Sequence, residues 1–213
     1  MPISAEAPWL NYYGAIPRTL NYPRLTIYQL VAQTARECPD LPAYEFMGRR
    51  TSYRDFLARI GRAALALYTA GIRAGDRVTI CMPNTPQALD CFYALNRIGA
   101  VSNMIHPLSA EEEIRFYLDV SGSQAILTLD RFYGKVAAAK RKPKLWIARL
   151  QPELKPLMRL GYNLTQGRKT PKLPQEGYTL WTDLLRKAAG TLPPDDGQCD
   201  ACASILYSGG TTG

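Results

Sequence analysis

The 213-residue sequence predicts an α/β fold of three layers, a mostly parallel sheet with crossover helices on its faces. Two observations carry this. Short apolar runs at 78–82, 101–105 and 125–129 begin 23 and 24 residues apart. Helix-period sequence fills each gap, and strand–helix–strand at that spacing is the signature of parallel crossovers.

The elements follow in order. Residues 26–37 read as a helix. Residues 43–47 and 50–52 read as a hairpin around Gly48-Arg49. Thr51-Ser52-Tyr53 then opens a helix whose apolar positions Phe56, Leu57, Ile60, Ala64 and Leu67 recur at helical spacing, and Gly71 stops it. Gly75-Asp76 turns the chain into the first strand of the repeat, which Pro83 closes. Asn84 is placed to cap the next helix, with Pro86 in the first turn and Gln87 three residues beyond the cap. That helix runs to Ile98 and ends at Gly99. After the strand at 101–105, Ser109-Ala110-Glu111-Glu112 reads as a capping box. Its helix carries Ala110, Ile114, Tyr117 and Leu118 on one face. Leu145-Trp146-Ile147 adds a short strand. Prolines at 171, 174, 193 and 194 bracket a short helix near 182–187, and a polar linker leads to a last apolar run at 203–207.

Composition fits a globular chain. Hydrophobic residues make up 46% of the sequence, and a chain of this length can bury a substantial core. No apolar run approaches the roughly 18 residues of a membrane span. The first residues lack the basic-then-apolar pattern of a secretory signal, so a cytoplasmic location is expected. The five cysteines are odd in number and scattered, which favours reduced thiols. Cys199 and Cys202 form a C-x-x-C, but no second half of a zinc site accompanies them and His106 is the sole histidine. No metal ligands are assigned. His106 and Asn84 are read as structural residues. Trp9, Tyr12 and Tyr13 form an aromatic patch expected to pack onto the body.

Charge is uneven. The chain carries 26 Lys/Arg against 18 Asp/Glu, and residues 131–172 alone hold twelve cations and one acid, Glu153. Leu150, Leu154, Leu157, Met158 and Leu160 lie among those cations. A solvated surface insertion and peripheral contact with an anionic membrane both fit such a segment. Aromatic interleaving is missing, so no nucleic acid is expected. Three segments follow from these shifts: 1–130, an N-terminal α/β subdomain; 131–172, basic and helical; and 173–213, a linker, helix and strand leading into a loop.

That loop carries the function. An apolar run empties into Ser208-Gly209-Gly210-Thr211-Thr212-Gly213, where glycines let several N–H groups converge and hydroxyls add donors for phosphate. It is not G-x-x-x-x-G-K-(S/T), which disfavours a P-loop kinase. Residues 207–213 resemble instead the phosphate loop of the adenylate-forming superfamily, Y-(T/S)-(S/G)-G-(S/T)-T-G-x-P-K-G. Gly209 stands where many members carry a hydroxyl, and the x-P-K-G is absent. The opening pattern of the superfamily is matched in order by Tyr53, Gly71, Gly75, Asp76, Pro83, Asn84, Gly99, Ala100, Val101, Pro107 and Leu108. The similarity thins between residues 135 and 192.

The resemblance implies the incomplete N-terminal part of an adenylate-forming enzyme's large domain, with a long-chain acyl-CoA synthetase as first choice. Trp9 to Tyr13 ahead of Tyr22-Pro23, the Ser208-Gly209-Gly210 variant and the stretch at 165–169 support that choice. It further implies ATP, Mg²⁺ and coenzyme A as cofactors and co-substrates. Ser208, Gly209, Gly210, Thr211, Thr212 and Gly213 would hold the β- and γ-phosphates. The metal-binding acid, the ribose-binding Asp and the catalytic lysine of the superfamily lie beyond the corresponding region. Hence no catalytic residue is assigned, and these 213 residues are expected to be inactive alone. Aryl-acid ligases and peptide-synthetase adenylation domains stay open within the superfamily. A non-catalytic remnant and a basic membrane-surface module stay open outside it.

Overall fold

The computed structural model describes residues 7–137, 143–165, 167 and 170–207. Helix α1 (Ile27–Glu37) starts where expected: Thr26 accepts the Gln29 N–H, and the Gln29 side chain accepts the Thr26 N–H. Strands β1 (Pro42–Phe46) and β2 (Arg49–Ser52) form an antiparallel hairpin. Its turn is Met47-Gly48, both at positive φ (49° and 71°), one residue earlier than the sequence suggested. Helix α2 (Tyr53–Thr69) follows, capped by Ser52.

Then comes the repeat: β3 (Arg77–Cys81), α3 (Pro86–Arg97), β4 (Val101–Met104), α4 (Glu111–Ser121) and β5 (Ala125–Leu129). Two starts differ from expectation. The cap of α3 is Thr85, whose hydroxyl accepts the Ala88 N–H, while Asn84 is exposed. Proline at the first helical position pushes the cap to its immediate neighbour. The cap of α4 is Ala110, which has no side-chain acceptor; only the Glu113 carboxylate, receiving the Ala110 N–H, closes that end. The chain continues through α5 (Tyr133–Ala137), β6 (Lys144–Ala148), α6 (Pro156–Leu164), β7 (Thr179–Leu180), α7 (Trp181–Arg186) and β8 (Ser204–Leu206).

Six strands form one sheet in the order β7-β6-β5-β3-β4-β8, every pair parallel. It draws strands from all three expected segments. Alternation along each strand serves two buried faces. Val78, Ile80, Ala125, Leu127 and Trp146 pack with α2, α3 and α7. Cys81 and Ile126 point the other way, onto Ile114 and Leu118 of α4 and Val136 of α5. The aromatic residues Tyr44, Phe56 and Tyr93 meet edge-to-face at 5.2 and 5.3 Å, tying the hairpin to α2 and α3. Trp9 and Tyr12 are exposed, so the aromatic patch near the start does not pack onto the body as expected.

Candidate active site

In an open α/β sheet, ligands collect at the carboxyl ends of the strands. Here β8 lies on the outer side of β4, and its carboxyl end leads to Tyr207. The six residues expected to hold phosphate, Ser208, Gly209, Gly210, Thr211, Thr212 and Gly213, lie outside the described residues. What the structure describes is how the chain is held just before them.

Tyr207 is stacked on Tyr117 of α4, with ring centroids 3.8 Å apart and planes 22° from parallel. Its hydroxyl donates to Asn103 Oδ1 at 2.8 Å, with the Tyr117 carbonyl 3.3 Å away. Asn103 Nδ2 donates to Thr79 Oγ1 at 2.8 Å, and Thr79 donates onward to Ser123 Oγ at 2.8 Å. Ser121 gives its proton to the Leu118 carbonyl, so between the two serines Ser123 is the donor, at 2.9 Å. Every link therefore donates in one direction, from the end of β8 through β4 and β3 into the last turn of α4. Asn103 and Thr79 are fully buried and the two serines nearly so. A buried polar group must find a partner, and this chain satisfies each in turn. Burial pushes the Tyr207 phenol above its ordinary pKa, further from ionisation than a free tyrosine.

The consequence is mechanical. Stacking and the hydrogen bond leave Tyr207 little rotational freedom, and the hydroxyl- and glycine-rich sequence begins at the next residue. Sequence reasoning missed this chain. Its one legible trace is Thr79 and Asn103, polar residues in the middle of short strands that also carry apolar side chains.

His106 is exposed in the turn after β4, its Nδ1 accepting the Leu108 N–H at 3.3 Å, which agrees with a structural role. Among the described residues no three His, Cys, Asp or Glu gather to hold a metal. A charged cluster lies on the opposite face of the sheet. Arg59 of α2 makes three hydrogen bonds to the Asp90 carboxylate of α3 and two to Glu153, with the shortest contacts 2.7 and 2.9 Å. Burial pushes the Asp90 carboxyl up to about 6, against the pull of Arg59. Burial opposes the charge on Arg59 as well, but the two carboxylates outweigh it and raise its pKa. With two acids and one cation, the cluster braces three segments against one another.

A family model described as "AMP-binding enzyme" matches residues 31–213. The chain belongs to the AMP-binding enzyme family. Among curated relatives, the long-chain-fatty-acid–CoA ligase of Bacillus subtilis is 28% identical across 99% of this chain, which spans 39% of that relative's length. The acetyl-coenzyme A synthetase of Emericella nidulans is also 28% identical, over 78% of this chain and 24% of its own length. Among solved structures, a benzoate CoA ligase from Burkholderia xenovorans aligns with a TM-score of 0.66 at 19% identity, covering 86% of this chain and 32% of its own. That likeness shows the fold. The curated relatives thus include ligases named for a long-chain and a short-chain acid, and this chain spans two fifths of their length or less.

Proposed function

We infer that this AMP-binding chain is the N-terminal part of an ATP-dependent acyl-CoA ligase acting on a fatty acid. The observation that carries the reading is the end of β8. Tyr207 is clamped by Tyr117 and Asn103 immediately before Ser208-Gly209-Gly210-Thr211-Thr212-Gly213, a segment whose N–H groups and hydroxyls suit the β- and γ-phosphates of ATP. In the first half-reaction a carboxylate oxygen attacks the α-phosphorus and pyrophosphate leaves. In the second, the thiol of coenzyme A attacks the acyl carbon, loses its proton, and AMP departs with the bonding electron pair. Repulsion between a carboxylate and a polyphosphate is the electrostatic problem, and N–H and hydroxyl donors to the phosphates lower it. Mg²⁺ would lower it further. The fatty-acid assignment rests on similarity to the Bacillus subtilis ligase along nearly the whole chain, together with the glycine at 209.

The test is pyrophosphate release by the protein encoded by the complete reading frame, offered acetate, benzoate, 4-coumarate, octanoate and palmitate in turn. Highest kcat/KM with a fatty acid is the expected result. A preference for an aromatic acid or acetate would overturn the substrate assignment and keep the ligase. Absence of acid-dependent pyrophosphate release would overturn both. Residues 1–213 alone are expected to form no acyl-adenylate.

A further inference from the structure

The Arg59 cluster forms one wall of a cavity of about 100 Å³ between α2, α3 and α7. That is several times the roughly 30 Å³ share of a water molecule, room for a small tetrahedral ion. Trp181, Leu185 and Pro152 supply its apolar surface. All five hydrogen bonds of Arg59 go to Asp90 and Glu153, so that guanidinium is committed. Arg62 of α2 and Arg149, the residue after β6, line the cavity as well. Neither of these guanidiniums donates a hydrogen bond among the described residues. Three arginines against two carboxylates leave the wall with a net charge of +1. Arg149 also borders a second cleft, where Asp130 lies; that carboxylate accepts the Arg131 N–H.

The deciding group is Gln87. It stands in the first turn of α3, lines the same cavity and is only 3% exposed. Its Nε2 donates to the Arg149 carbonyl at 2.9 Å. That bond fixes the amide, because the reversed orientation would set oxygen against oxygen. Oε1, on the other branch of the amide, is buried and has no partner among the described residues. A buried acceptor thus shares one cavity with two uncommitted guanidiniums. Guanidiniums select an oxyanion. The acceptor demands in addition that the ligand bring a proton donor. Sulfate and simple carboxylates carry no such proton at neutral pH, whereas orthophosphate keeps an O–H both as monoanion and as dianion.

We propose that this cavity binds inorganic phosphate, whose oxygens accept from Arg62 and Arg149 and whose O–H donates to Gln87 Oε1. The site goes beyond the acyl-ligase reading and does not rest on it. It lies on the side of the sheet covered by α2, α3 and α7, whereas Tyr207 packs on α4.

Isothermal titration calorimetry tests it, on the protein encoded by the complete reading frame, with orthophosphate, sulfate or glycine at matched ionic strength and without ATP. Phosphate is expected to bind. Sulfate should bind at least about tenfold more weakly, since it would set an oxygen against Oε1. Arg62→Gln and Arg149→Gln, both at exposed positions, should each weaken phosphate binding roughly tenfold. Gln87→Met, with folding checked by circular dichroism, should bring the affinities for the two anions together. If that variant does not fold, the arginine variants and the sulfate comparison decide. Four results would each overturn the proposal. The first is no binding of phosphate. The second is sulfate binding as tightly as phosphate. The third is glycine binding more tightly than phosphate, which would give the cavity to a zwitterion. The fourth is binding that survives both arginine substitutions and is abolished by Thr211→Ala with Thr212→Ala, which would move the phosphate to the hydroxyl- and glycine-rich end. Acid-dependent pyrophosphate release is measured separately, so the ligase reading and this site can fail independently.

Discussion

Asn103 is the middle link between Tyr207 and Thr79, accepting from one and donating to the other. Asn103→Leu removes both functions and leaves buried hydroxyls short of partners, so urea unfolding should show a loss of about 1–3 kcal/mol. Tyr207→Phe should cost about 1 kcal/mol, and the double variant less than the sum, because the two changes break one shared bond. Strict additivity would show that the chain does not transmit restraint to the end of β8. The Arg59 cluster makes a second prediction. Arg59→Met strands two carboxylates, and a loss of about 3–5 kcal/mol is expected at neutral pH. Asp90 has a folded pKa of about 6, above its ordinary value of 3.8. Its contribution therefore favours folding at low pH and is lost as pH rises through about 6. Asp90→Asn cannot titrate, so the stability gap between it and the wild type should change between pH 4 and pH 6 and stay flat above. Neither cluster was foreseeable as a cluster. Thr79 and Asn103 are visible as polar residues in the middle of short strands, but their partners Ser123 and Tyr207 lie 44 and 104 residues away. Arg59 and Glu153 are 94 apart.

At the scale of elements, periodicity located most helices and strands, whereas their ends shifted by a residue or so. The hairpin shows why. This two-residue connection has positive φ at both positions, and the structure spends that conformation on Met47, an unfavourable residue there, rather than on Arg49. Met47→Asn should therefore stabilise the protein by about 1 kcal/mol, read as a rise in melting temperature. An unchanged or lower melting temperature would mean that Met47 contributes packing that outweighs its backbone strain. The start of α3 makes the same point, since Pro86 at the first position makes Thr85, not Asn84, the cap. The amphipathic character of α6 was legible from its leucines. Which way those leucines face was not, because that is decided by anchors outside the helix, namely Leu154, Glu153 and the Gln151 carbonyl.

Across the whole molecule, the two-faced sheet sorts the cysteines. Cys81 and Cys91 are fully buried, and burial raises both thiol pKa values, Cys81 to about 12. A native thiol assay should therefore count no more than Cys38, Cys199 and Cys202, with the remaining two appearing only on denaturation. Early labelling of Cys81 or Cys91 would show that the core opens readily. The β8 edge is a second property of the whole. Among the described residues β8 pairs only with β4, and Leu206 is 75% exposed. Such an edge invites association. Light scattering of residues 1–213 should reveal concentration-dependent aggregation that Leu206→Lys reduces.

The sequence by itself determined the alternation of strands and helices, the hydroxyl- and glycine-rich end and membership in the AMP-binding family, because each is written in local spacing or contiguous motif. Only the tertiary structure decided that Tyr207 is clamped by residues of β4 and α4, that Arg59 joins two distant acids, and that α6 turns its leucines outward. Those outcomes depend on which segments the parallel sheet brings side by side, and contacts between residues about a hundred positions apart leave no periodic trace in the chain.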